Sequence, residues 1–144
     1  MNPGICFNWN KYLDLAKELA TSNSNESNEA KLRSSISRAY YAAFCKARIY
    51  LRDIEKDPRL QRQNYSTRDF NVHEYVIEEL RSRKKKEERE LFQIGENLFR
   101  LRRQRNNADY DDFIHSLPSV VQQALREAEL AISKLDACNN PPKT

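Results

Sequence analysis

Two glycines in 144 residues, Gly4 and Gly95, restrict this chain more than any other feature of it. A β-rich fold reverses direction at every strand end and draws on glycine and proline to do so. The prolines are Pro3, Pro58, Pro118, Pro141 and Pro142, which leaves long stretches with no turn residue at all. The expected fold is therefore all-α, a four- to five-helix up-and-down bundle. The length suits one domain with one core across residues 1–144.

Apolar periodicity places the helices. Trp9, Tyr12, Leu13, Ala16, Leu19 and Ala20 recur at i, i+3, i+4 and i+7 over residues 8–20. A polar segment follows, in which Ser27 or Asn28 is a suitable N-cap for a second, long helix over residues 29–52. Its stripe is Leu32, Ile36, Ala39, Tyr40, Ala43, Phe44, Ala47 and Leu51, and its small residues allow close helix approach. Residues 53–69 are polar and aperiodic and read as a long, mobile connection. A shorter helix over residues 71–83 buries Val72, Tyr75, Val76, Ile77 and Leu80, and His73 at its start reads as a cap or surface residue. The Lys84–Lys86 run reads as a solvated helix end or loop.

The fourth helix, over residues 87–108, carries Leu91, Ile94, Leu98 and Leu101. Gly95 in its middle costs up to about 1 kcal/mol against alanine, so a close backbone contact with a neighbouring helix or subunit is expected there. Ser116-Leu117-Pro118 opens the fifth helix, with Pro118 tolerated in the first turn. Residues 138–144 read as a disordered tail.

Charge is distributed unevenly. Residues 81–105 hold 10 basic and 4 acidic side chains, against 12 and 11 in residues 1–80 and 3 and 6 in residues 106–144. Such a block attracts phosphate or simply solvates a helix. Cys6, Cys45 and Cys138 form neither a disulfide framework nor a zinc pattern, and His73 and His115 stand at no ligand spacing from them. No metal or cofactor is expected. The cysteine usage, the absence of a signal-like N-terminus and the absence of a long apolar run suggest a cytoplasmic protein that does not enter the membrane.

The stretch RLRRQRNNADYDD, residues 100–112, concentrates the polar chemistry. Extending the core stripe of the fourth helix past Leu101 reaches Arg105, Ala108 and Asp109, so the apolar face ends in an arginine and an aspartate at i, i+4. A core-facing arginine needs a partner or a wet cleft. One outcome is a structural Arg105–Asp109 lock with Tyr110 packed over it. The other is a cleft, at a subunit boundary, where Arg102, Arg103 and Arg105 hold a phosphate with their planar forks. Arg38 on the second helix is placed to reach the acidic residues 109–112 or to form a surface salt bridge. Tyr40 reads as core, and Tyr41 stands beside it.

The segments SISRAYYAAFCKARIYL, residues 35–51, and RQRNNADYDD, residues 103–112, together resemble the paired signatures of the HEPN family, and the resemblance spans nearly the whole chain. The resemblance implies a small helical bundle that dimerises with the fourth-helix motif at the dimer cleft. It also implies metal-independent ribonuclease activity on cellular RNA, tRNA or mRNA. For stand-alone members it implies a toxin–antitoxin pairing with a minimal nucleotidyltransferase, which in some pairs adds AMP to a tyrosine beside the motif, here Tyr110. The matching positions are Arg102, Arg103, Arg105, Asn106, Asp109 and Tyr110, with Arg38 and Tyr41 from the second-helix signature. The chain departs from the ribonuclease pattern where a histidine is expected: Asp109 and Tyr110 stand there instead, and His115 lies further on. A non-catalytic alternative follows, a dimeric subunit that binds a nucleotidyltransferase or a nucleotide.

Overall fold

A computed structural model describes residues 7–21, 28–61 and 70–139. Five helices form an all-α bundle: α1 (Asn10–Ala20), α2 (Asn28–Ile49), α3 (Val72–Arg81), α4 (Arg89–Tyr110) and α5 (Leu117–Asn139). No strand occurs among the described residues, and no described helix is long and apolar enough to cross a membrane.

Helix α2 is the axis of the bundle and packs against α1, α4 and α5, while α3 lies mainly on α4. Its alanines explain that role. Ala39, Ala42, Ala43 and Ala47 are fully buried, and their small side chains let several helices reach the α2 backbone at once. Ile36, Tyr40 and Leu51 fill the gaps between them. From α4, Ile94, Leu98 and Leu101 enter the same core, and from α5 Val121, Ala124, Ala128, Ala131 and Leu135 close it. Helix α4 is tied to α5 at Glu127, which accepts from Asn97 and, at 3.1 Å through each of two nitrogens, from Arg100.

Gly95 marks where α3 crosses α4. A Cβ at this position would lie 2.8 Å from the backbone nitrogen of Arg81 and 2.9 Å from Leu80 Cβ, closer than side-chain carbons approach. The close contact expected from the sequence is thus with a neighbouring helix of the same chain.

Several boundaries differ from the sequence expectation. The α2 axis continues as a π turn, Tyr50–Ile54, and ends at Lys56, which adopts a left-handed φ of 57° so that Asp57 N–H reaches the Leu51 carbonyl at 2.9 Å. The connection after it is anchored, not loose, through residue 61. Leu60 is fully buried, Tyr75 Oη donates to Asp57 at 2.6 Å, and Gln61 donates to the Arg52 carbonyl at 2.9 Å. One apolar side chain in a polar stretch gives no periodicity, which is why Leu60 escaped the pattern. Residues 62–69 lie outside the described residues. Arg83 closes the next turn by pairing with Glu55 at 2.6 Å and Glu88 at 2.9 Å. Helix α3 is capped by Asn71, whose side chain accepts from Glu74 N–H at 3.1 Å, so His73 is not the cap. Asn28 is the first residue of α2, and Ser27 lies outside the described residues. The predicted tail starts too early: Cys138, half-buried, and Asn139 complete α5, and residues 140–144 lie outside the described residues.

Candidate functional site

The end of the α4 stripe does carry Arg105 inward. Its side chain is only 12% exposed, and Nη1 sits 3.5 Å from Asp109 Oδ2. The guanidinium lies over two rings of α2, 5.2 Å from the centroid of Tyr40 and 5.5 Å from that of Tyr41. An arginine in this position exchanges part of its hydration for ring faces and one carboxylate. The exchange is incomplete: the Nε atoms of both Arg105 and Arg102 are buried and have no hydrogen-bond partner among the described residues.

A histidine completes the cluster from an unexpected direction. His73, in the first turn of α3, shares a 2.6 Å hydrogen bond between its Nδ1 and Tyr40 Oη. Its ring stacks on Phe44 at 4.2 Å. Burial pushes the imidazole down to about 4, and the charges of Arg102, Arg105 and Arg48 push the same way. Burial raises the Tyr40 phenol, and Arg102 and Arg105 offset only part of that rise. At neutral pH the pair is therefore a protonated phenol and a neutral imidazole. Two tautomers fit: the phenol donates to Nδ1, or Nδ1–H donates to the phenol oxygen and leaves the Nε2 lone pair open.

Beside this cluster, α3 and α4 diverge from their crossing to form a groove of about 350 Å³. Arg102, Arg103, Asn106 and Phe99 line its α4 side, and Glu74, Ile77 and Glu78 line its α3 side. Arg102, Arg103 and Asn106 are thus brought together with carboxylates facing them, while Arg105, the third arginine expected to hold a phosphate, does not line the groove.

The other predicted residues separate. Tyr110 is the last residue of α4 and is 77% exposed, so it does not pack over the Arg105–Asp109 pair. Arg38 does not reach residues 109–112; its guanidinium lies over Tyr12 of α1, 5.0 Å from the ring centroid. Arg33 takes that role. It donates to the carbonyls of Ala108 at 2.9 Å and Asp111 at 2.6 Å, capping the end of α4, and pairs with Glu29 at 3.1 Å. Arg33 and Arg38 are five residues apart, about 140° around a helix, so only one of them can face α4. His115 is exposed in the turn before α5. A sequence signal for His73 did exist. Tyr40 falls on the buried stripe, a buried phenol needs a polar partner, and the chain offers only two histidines.

No family model matches this chain, and no match is found among curated proteins or solved structures.

Proposed function

We propose that this bundle is a HEPN-type toxin that cleaves cellular RNA, tRNA or mRNA, without a metal, as a homodimer restrained by a partner nucleotidyltransferase. The observation that carries this reading is the convergence of Arg102, which lines the groove, and Arg105, which lies over Tyr40, on the neutral histidine bonded to that tyrosine. Cleavage through the RNA's own 2′-OH needs a proton acceptor and a cation to stabilise the phosphorane. In the tautomer with Nδ1–H donating to Tyr40, His73 Nε2 takes the 2′-OH proton. The 2′-oxygen bonds phosphorus, the bond from phosphorus to the 5′-oxygen breaks, and that oxygen receives a proton from the imidazolium. Arg102 and Arg105 face the developing charge. Asp109 holds Arg105, and Asn106 and Arg103 orient the strand. Tyr110, exposed at the helix end, is the residue accessible for AMP addition.

The test is incubation of purified protein with total RNA in EDTA. Cleavage leaving 2′,3′-cyclic phosphate ends is expected. Arg102→Ala should lower the rate by about 10²-fold or more, the usual cost of losing one donor to a developing oxyanion. His73→Asn should abolish the reaction, with the helical circular dichroism retained in both variants. Intact RNA after long incubation with folded wild-type protein would remove the catalytic reading. Light scattering tests the homodimer, and mass spectrometry after co-expression with the nucleotidyltransferase tests Tyr110.

A second reading, a non-catalytic subunit that binds a nucleotidyltransferase or nucleotide, is favoured by one observation. Arg105 is already engaged by Asp109, Tyr40 and Tyr41, as a structural lock would be. RNA or nucleotide binding without cleavage is its signature.

A further inference from the structure

The groove between α3 and α4 has an aromatic wall that the chemistry above does not use. Phe99 is 42% exposed. The Arg81 guanidinium lies 4.0 Å from its ring centroid. Arg81 is itself held by Glu96 at 2.8 Å and Glu78 at 3.2 Å. A ring backed in this way on one face is fixed, and the rest of it borders the groove with Arg102, Arg103 and Asn106. Two helical turns earlier on the same face of α4 stands Phe92, 36% exposed. Phe92 borders a second depression of about 380 Å³, together with Lys84, Lys85, Lys86 and Arg89.

We infer that this face binds single-stranded RNA, with one base stacked on Phe99 inside the groove and the strand running along α4 past Phe92 to the Lys84–Arg89 cluster. The inference rests on the RNA reading above and names the form of the substrate. Three observations carry it. First, the α3 side of the groove carries Glu74 and Glu78 and repels phosphate, so a phosphate backbone is confined to the α4 side beside Arg102 and Arg103. A neutral base meets no such repulsion, and carboxylate and amide groups can bond to its edges. Second, the exposed rings repeat along one face. Phe92, Phe99 and Arg103 are seven and four residues apart, a run of about 16 Å at ~1.5 Å per residue. That is about five stacked nucleotides at ~3.4 Å each. Third, the cations flank the rings as a phosphate backbone requires: Arg103 at one end, and Lys84, Lys85, Lys86 and Arg89 at the other. Aromatic platforms alternating with cations are how single strands are held, since paired bases offer no open face for stacking.

The experiment measures fluorescence anisotropy of a labelled eight-nucleotide 2′-O-methyl RNA, which cannot be cleaved through the 2′ position, as a single strand and as a duplex. The single strand should bind the wild-type protein at least about tenfold more tightly than the duplex. Phe99→Leu and Phe92→Leu, which keep apolar volume but lose the ring, should each weaken single-strand binding by about fivefold or more, as expected for one lost base stack. Replacing Lys84, Lys85 and Lys86 together by Gln should flatten the logarithmic salt dependence by about 2, at ~0.7 for each lost phosphate contact. Equal affinity for duplex, or unchanged binding in both Leu variants, overturns the inference while leaving RNA cleavage to its own assay. A Phe92→Leu or Phe99→Leu protein that becomes monomeric with RNA binding intact also overturns it, and assigns the face to a second copy of the chain. No RNA binding by folded wild-type protein removes both the inference and the reading beneath it.

Discussion

Acid should destabilise this protein through one imidazole, and the size of the effect follows from the surroundings of His73. In the unfolded chain the ring titrates near 6.5, and in the fold burial and the charges of Arg102, Arg105 and Arg48 push it down to about 4. The groups packed on it are Tyr40, Tyr41 and Phe44 from α2, and none of them is an acid that would stabilise the imidazolium. A folded value below the unfolded one means that the unfolded chain binds the proton first. The contribution is therefore complete above pH 6.5, is lost as the pH falls from 6.5 to about 4, and changes no further below that. At ~1.4 kcal/mol per tenfold change in proton affinity the ceiling is about 3 kcal/mol. Solvent reaches part of the ring and screens the penalty, so roughly 1–2 kcal/mol is the expected loss. Urea denaturation at pH 7.5, 6.5, 5.5 and 4.5 measures it, with His73→Gln as the reference, since an amide keeps a polar partner for Tyr40 and does not titrate. Carboxylates titrate in both proteins, so the difference between the two curves isolates the histidine. Wild type should lose stability faster than the variant between pH 6.5 and 4.5. Parallel curves, or a wild type that gains stability in acid, would refute the assignment of a buried neutral imidazole beside two arginines.

Other expectations rest on backbone contacts. Gly95→Ala gains up to about 1 kcal/mol of helix propensity, but its Cβ meets Arg81 backbone; overpacking costs about 1–3 kcal/mol, and a net loss of about 1–2 kcal/mol in urea denaturation is expected. Arg33→Gln removes charge-assisted bonds to the Ala108 and Asp111 carbonyls. It should cost about 1.5–3 kcal/mol and speed amide exchange in residues 107–111, and unchanged exchange there would show that α4 needs no cap from α2. Lys56→Gly relieves a left-handed backbone and should leave stability unchanged or raise it by up to about 1 kcal/mol in thermal melts.

The helices were legible because their apolar residues recur at helical spacing, and the Arg105–Asp109 pair because four residues on a helix make neighbours. What escaped were partnerships between distant segments. His73 meets Tyr40 across 33 residues, and Arg33 meets Ala108 across 75. Neither is encoded locally: His73 sits at a helix start where solvent exposure is the ordinary outcome, and which of Arg33 or Arg38 faces α4 depends on the rotation of α2 against its neighbours. Leu60 was missed for the complementary reason, as a single buried side chain without a pattern around it. The charge at residues 84–89 was visible, but its pairing with Phe92 needed the turn between α3 and α4 to bring them side by side.

The crossing at Gly95 also sets a mechanical ratio. Helix α3 touches α4 at its C-terminal end, through Leu80 and Arg81. Its other end, about 12 Å away at ~1.5 Å per residue, carries His73 and Glu74, which face Tyr40 and the groove. The glycine is thus a fulcrum at one end of a stiff arm. A thicker side chain there lifts the near end by a fraction of an ångström, and any tilt grows along the arm toward the groove mouth. Through this leverage, residue size at position 95, about two helical turns from Arg102 and three from Arg105, tunes how wide the groove stands and how closely the histidine meets its phenol.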